Sequence, residues 1–124
     1  MPDIHQLDHL QYVNLETFRK TGLAVRTPVW FVLDGTTIYV RTEADSGKVK
    51  RIRRSGKINI APCKGNGTVT GSWQPAEARE LADAEMVRKV NQMLDKKYGL
   101  VKKAFDLLSA VRSGKPTVLE IKLA

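Results

Sequence analysis

The stretch "AVRTPVWFVLDGTTIYVRT", residues 24–42, constrains the fold more than any other. It is dense in β-branched and aromatic residues on both sides of Asp34-Gly35, a pair that favours the backbone twist of a tight hairpin. Two long strands are predicted, over 23–33 and 37–42. Within the first, Val29, Phe31 and Leu33 point one way and Trp30 and Val32 the other, so the strand is apolar on both faces. One face lines a core, and the other is expected to meet a partner, a ligand or a second subunit.

The rest of the chain fits the same architecture. "QYVNLETFRK" places Val13, Leu15 and Phe18 near alternate positions before a Thr21-Gly22 turn, and "KINIAPC", "TVTGSWQPAEAREL" and "TVLEIKLA" each read as strands. From Asp83, a predicted N-cap, the period becomes helical through Met86, Val90, Met93 and Leu94. Gly99 interrupts it. A second helical stretch carries Leu100 to Val111, ahead of Gly114. The expectation is a mainly β (α+β) protein: a six-stranded antiparallel split β-barrel, with a short basic helix after the third strand and a helical insertion before the last. Its 124 residues suit one domain, 1–124.

Between the hairpin and "KINIAPC" lies "RTEADSGKVKRIRRSGK", residues 41–57, with seven basic side chains against Glu43 and Asp45. It reads as a helix from Ser46 to Gly56, with Val49 and Ile52 on its inner side. The Ser46 hydroxyl and the first unpaired N–H groups of the helix converge beside Lys48 and Lys50, with Thr42 at the end of the incoming strand. That combination suits a phosphate. A phosphate clamp next to a flat apolar strand is what a ring-bearing nucleotide cofactor needs.

Twenty-one Lys and Arg against 13 Asp and Glu give a formal charge of +8, which favours anionic partners. Aromatic residues make up 6% of the chain and no stacking pair of the RNA-binding type is present, so nucleic acid is not the expected partner. No apolar run approaches membrane-spanning length. Cys63, the single cysteine, is expected to be a small buried hydrophobe, and it leaves no disulfide framework. A soluble, cytoplasmic protein is expected. His5 and His9 stand four apart but read as incidental residues near a terminus, so no metal site is predicted.

The segment "TPVWFVLDGTTIYVRTEADSGKVKRIRR" resembles the characteristic region of the flavin- and deazaflavin-binding split-barrel family related to pyridoxamine 5'-phosphate oxidase. It is most similar to the short branch of coenzyme F-420-dependent oxidoreductases. The resemblance implies that Thr42, Ser46 and Lys48 hold the cofactor phosphate, with Lys50 nearby. It places the cofactor ring along Arg26, Thr27, Pro28, Val29 and Trp30, and implies a homodimer with cofactor at the subunit interface, where Trp73 reaches the ring from the partner chain. The implied activity is hydride transfer between the deazaflavin, coenzyme F-420, and a small electron-poor substrate. The alternative is an FMN-binding split-barrel protein, either reductase- or oxidase-like or a non-catalytic flavin or tetrapyrrole binder. Two departures stand out. Gly47 occupies the position after Ser46 where flavin-binding oxidases often have Arg, which argues against a tight FMN phosphate clamp. No arginine-bearing tail follows residue 123, which argues against pyridoxamine phosphate as substrate. Arg51, Arg53, Arg54 and Lys57 would accompany a polyglutamate tail, and Tyr39, Tyr98 and water stay open as proton donors.

Overall fold

The computed structural model describes residues 7, 10–99 and 115–124. The expected second helical stretch from Leu100 to Val111, and the His5/His9 pair, lie outside them. The described elements run β1 (Tyr12–Phe18), β2 (Ala24–Trp30), β3 (Val32–Asp34), β4 (Thr37–Glu43), α1 (Gly47–Arg54), β5 (Lys57–Cys63), β6 (Gln74–Leu81), α2 (Ala84–Tyr98) and β7 (Pro116–Leu123). All strand pairings are antiparallel, in the order β2-β1-β5-β6-β7-β4-β3.

The expected six strands are therefore seven, in an open sheet rather than a closed barrel. The difference comes from one residue. The predicted strand over 23–33 breaks at Phe31 into β2 and β3, which sit at opposite ends of the strand order. Only Phe31 separates these two edge strands in the chain, so the sheet must curl until its edges approach each other.

The break is held from outside the sheet. Phe31 N–H donates to the Tyr98 hydroxyl at 3.1 Å, and Phe31 C=O accepts from Lys97 Nζ at 3.0 Å. These bonds satisfy backbone groups that a neighbouring strand would otherwise have to pair. The Phe31 ring is fully buried. The β3–β4 hairpin closes with Asp34 opposite Thr37 around Gly35-Thr36, and only Gly35 has positive φ, at 63°, as in a II′ turn.

Two apolar cores result. Val13, Leu15, Phe31, Ile38, Val40, Ile58, Ile60, Leu119 and Ile121 fill the concave side, and α1 plugs one end with Val49 and Ile52. On the convex side, α2 packs Val90, Leu94 and Tyr98 against Val32, Tyr39 and Val118, with Trp30 at the margin. The second apolar face of the 29–33 stretch thus packs against the chain's own helix α2. Asp83 caps α2, its carboxylate accepting from Met86 N–H at 3.1 Å. No helix among the described residues is long and apolar enough to cross a membrane.

Candidate functional site

Alternation along β4 puts Thr42 on the core side with Ile38 and Val40, opposite Thr117 of β7. After Glu43 the chain turns, with Ser46 N–H donating to Glu43 C=O at 3.0 Å, and Ser46 enters α1 in an extended conformation, φ −69° and ψ 154°. That is N-cap geometry without the usual cap. The Ser46 hydroxyl bonds no N–H of the first turn, and its Oγ is buried without a hydrogen-bond partner. The first turn also contains no acidic residue.

Lys48, one residue into the helix, is half-buried. Burial pushes its ammonium below the usual lysine range, the Arg51 guanidinium pushes the same way, and Glu43 opposes both. Arg51 donates from Nε to Thr17 Oγ1 at 2.7 Å, and the Thr17 hydroxyl donates to Val25 C=O at 3.4 Å. Helix α1 is thereby tied, through Arg51 and β1, to β2. The fit to an anion is good: an unpartnered buried hydroxyl, a desolvated lysine and a tethered guanidinium share one corner. Lys50 is exposed beside them.

Strand β2 pairs only with β1 in the strand order, so its other backbone edge is taken by no strand among the described residues. Pro28 is compatible with such an edge. Register puts Thr27 and Val29 on the concave side, opposite Leu15 and Val13, whereas Arg26, Pro28 and Trp30 point outward opposite Glu16, Asn14 and Tyr12. These outward residues have partners within the same chain. The Arg26 guanidinium pairs with Glu16 at 2.9 Å and lies 4.8 Å from the ring centroid of Trp73. Asn59 donates to the second Glu16 oxygen at 2.8 Å. That bond first, and Arg26 after it, hold the Glu16 carboxyl below its usual range against the effect of burial.

Trp73, expected to reach the ring from a partner chain, thus rests against Arg26 of its own chain. It closes a segment from Lys64 that covers the outer face of β1 and β2. Asn14 Nδ2 donates to Gly67 C=O at 3.0 Å, and Gly67 lies close to Pro28. At the far end of β2, Trp30 stacks on Tyr98 with ring centroids 4.5 Å apart.

The predicted residues therefore fall into two groups. Ser46 and Lys48 both stand at the start of α1, with Thr42 on the incoming strand. Arg26 to Trp30 form the adjoining edge, held by Trp73 and Tyr98. Sequence reasoning missed Thr17, which carries the link between them; its signal was a hydroxyl among apolar neighbours on β1. Of the basic residues assigned to a polyglutamate tail, Arg53 is engaged bidentately by Glu80 at 2.6 and 2.9 Å, and Arg54 donates to Phe18 C=O. Neither phenol is placed as a ready proton donor. Tyr39 is buried under α2, and the Tyr98 hydroxyl is committed to Phe31 and to Gln11 C=O at 2.7 Å, with burial raising its pKa to about 12.

No protein-family model matches the chain, and no curated protein sequence does. Solved structures do. A pyridoxamine 5'-phosphate oxidase-like protein of Listeria innocua matches with TM-score 0.68 at 14% identity, over 94% of this chain and 86% of its own. An F-420 reductase matches with TM-score 0.66 at 12% identity, over 100% and 96%. The heme storage protein HutZ of Vibrio cholerae matches with TM-score 0.69 at 13% identity, over 98% and 85%. With nearly the whole chain aligned in each case, the architecture described above is the split-barrel fold of pyridoxamine 5'-phosphate oxidase-like proteins.

Proposed function

We propose that this chain is a cofactor-dependent oxidoreductase that uses coenzyme F-420 or FMN, with the cofactor phosphate at the start of α1 and the ring along β2. The observation that carries this reading is the buried, unpartnered Ser46 hydroxyl beside the desolvated Lys48, at a helix start with no acidic residue. A phosphate supplies what each of these groups lacks: an acceptor for the hydroxyl, a counter-charge for the ammonium and a negative group at the positive end of the helix. The cofactor, when bound, accepts or donates hydride at its ring.

The protein holds and shields it. Ser46, Lys48 and Thr42 bind the phosphate, and Lys50 adds charge at the rim. The open backbone edge of β2 and the concave-side residues Thr27 and Val29 bound the ring, while Trp73 on Arg26 and Tyr98 on Trp30 stiffen the strand from outside. With Tyr39 buried under α2 and the Tyr98 hydroxyl bonded to backbone carbonyls, water is the remaining proton source for a small electron-poor substrate. A homodimer that closes the site from a second chain belongs to the same reading.

The test is Lys48→Glu. It should abolish binding of both FMN and F-420 while leaving circular dichroism and thermal midpoint near those of the parent. Unchanged affinity would remove the site assignment. Heme is the third ligand to titrate, since HutZ is described as a heme storage protein. Heme binding that excludes both flavin-type ligands would shift the reading to a storage module without turnover.

A further inference from the structure

Arg51 is placed where its charge is unfavourable in the protein alone. Long helical side chains lean toward the N-terminus, and this one reaches a full turn back. Its Nη1 lies 2.8 Å from where a Cβ at position 47 would stand, with Cζ at 3.5 Å and Nη2 at 3.6 Å. Only glycine leaves that space open.

The guanidinium therefore sits at the positive end of its own helix, close enough to Lys48 to depress that ammonium, and feels Arg19 as well. Glu43 is the acidic group acting on Lys48, and none lies in the first turn of the helix. Thr17 Oγ1 accepts from Nε, at 2.7 Å, which leaves the fork formed by Nη1 and Nη2 at the end of the guanidinium outside that bond. Two parallel N–H donors in one plane match two oxygens of a phosphate.

We propose that Arg51 is the guanidinium arm of the anion site, reaching the cofactor phosphate across Gly47, with Thr17 as its positioning residue. This rests on the phosphate assignment above and adds a ligand to it. Gly47 then does not weaken the clamp, because a residue four positions later supplies the guanidinium through the gap that the glycine leaves.

The experiment compares two ligand pairs, FMN with riboflavin and F-420 with its dephosphorylated deazaflavin, by tryptophan quenching of the parent, Arg51→Met, Gly47→Ala, Thr17→Val and Lys48→Glu. Arg51→Met should weaken the phosphorylated member of a pair by about tenfold or more and leave the dephosphorylated member unchanged. Gly47→Ala, which keeps Arg51 but displaces its tip, should shift the same ligand in the same direction by less, and so should Thr17→Val. Gly47→Ala keeps the question open to test if Arg51→Met folds poorly. Loss on Lys48→Glu with full retention in Arg51→Met and Gly47→Ala would overturn the role of Arg51 and leave the phosphate site standing. Equal weakening of both members of a pair would make Arg51 structural, which also overturns the proposal. A parent protein that does not distinguish phosphorylated from dephosphorylated ligands would overturn both readings.

Discussion

The indole of Trp30 lies flat on the phenol of Tyr98, with centroids 4.5 Å apart and planes 8° from parallel. The same phenol accepts the N–H of Phe31 at 3.1 Å, so one side chain at the end of α2 fixes both the last residue of β2 and the break that follows it. Helix α2 thereby sets the position of the strand proposed to carry the cofactor ring.

Tyr98→Phe keeps the ring stack but leaves Phe31 N–H without its partner. A buried unsatisfied group costs about 1–3 kcal/mol. Urea unfolding should show a loss of that order. A loss below about 0.5 kcal/mol would mean that water replaces the hydroxyl as acceptor.

The alkaline limb of stability provides a second check. Burial raises the Tyr98 pKa from its ordinary 10 to about 12. The folded state then holds a proton that the unfolded chain releases, so this contribution is complete below pH 10 and is lost as pH rises toward 12. Tyr98→Phe should remove that part of the decline. Superimposable alkaline limbs for the two proteins would contradict the assignment.

Glu16 acts at the opposite end of the pH range. Asn59 first and Arg26 second lower its pKa below the ordinary 4.5, so its contribution is complete above that pH and is lost as pH falls through the lowered value. Glu16→Gln should flatten the acid limb of a stability–pH profile. An unaltered limb would show that the Arg26–Glu16–Asn59 link across β2, β1 and β5 carries no net stabilisation.

Gly56 joins α1 to β5 and sits against β6. Its carbonyl accepts from Ala78 N–H at 2.8 Å, and a Cβ there would meet Ala78 O at 2.5 Å. The obstacle is backbone and cannot swing away, so Gly56→Ala should destabilise by about 1–3 kcal/mol or more. Gly47→Ala meets only the tip of Arg51 and should leave the unfolding midpoint nearly unchanged. Equal effects of the two substitutions on the midpoint would contradict this contrast.

Much of this arrangement was legible in the chain because it depends on local spacing. The Lys57–Cys63 strand, the Asp83 cap and the Val49/Ile52 inner face of α1 follow from alternation or helical period. So does the position of Ser46 and Lys48 at the start of α1, which needs only a helix start. The break at Phe31 was not legible, since Tyr98 and Lys97 impose it from more than sixty residues away. The second apolar face of Trp30 and Val32 gave no sign of its cover, because a covering helix and a covering subunit make the same demand on a strand. Trp73 meets Arg26 only through the order β2-β1-β5-β6, which no local pattern encodes. Arg51 lies between these cases. Its i−4 reach to Gly47 is a helical spacing, but the direction of its guanidinium is set by Thr17 on another strand.

The most direct test is a parallel titration of the unmodified protein with FMN and coenzyme F-420, following quenching of Trp30 and Trp73. The account predicts saturable quenching by at least one of the two, with the deazaflavin the expected tighter ligand, and its disappearance in Lys48→Glu. Absence of saturable binding by either would contradict the proposed function and leave the split barrel as a fold whose ligand is of another class.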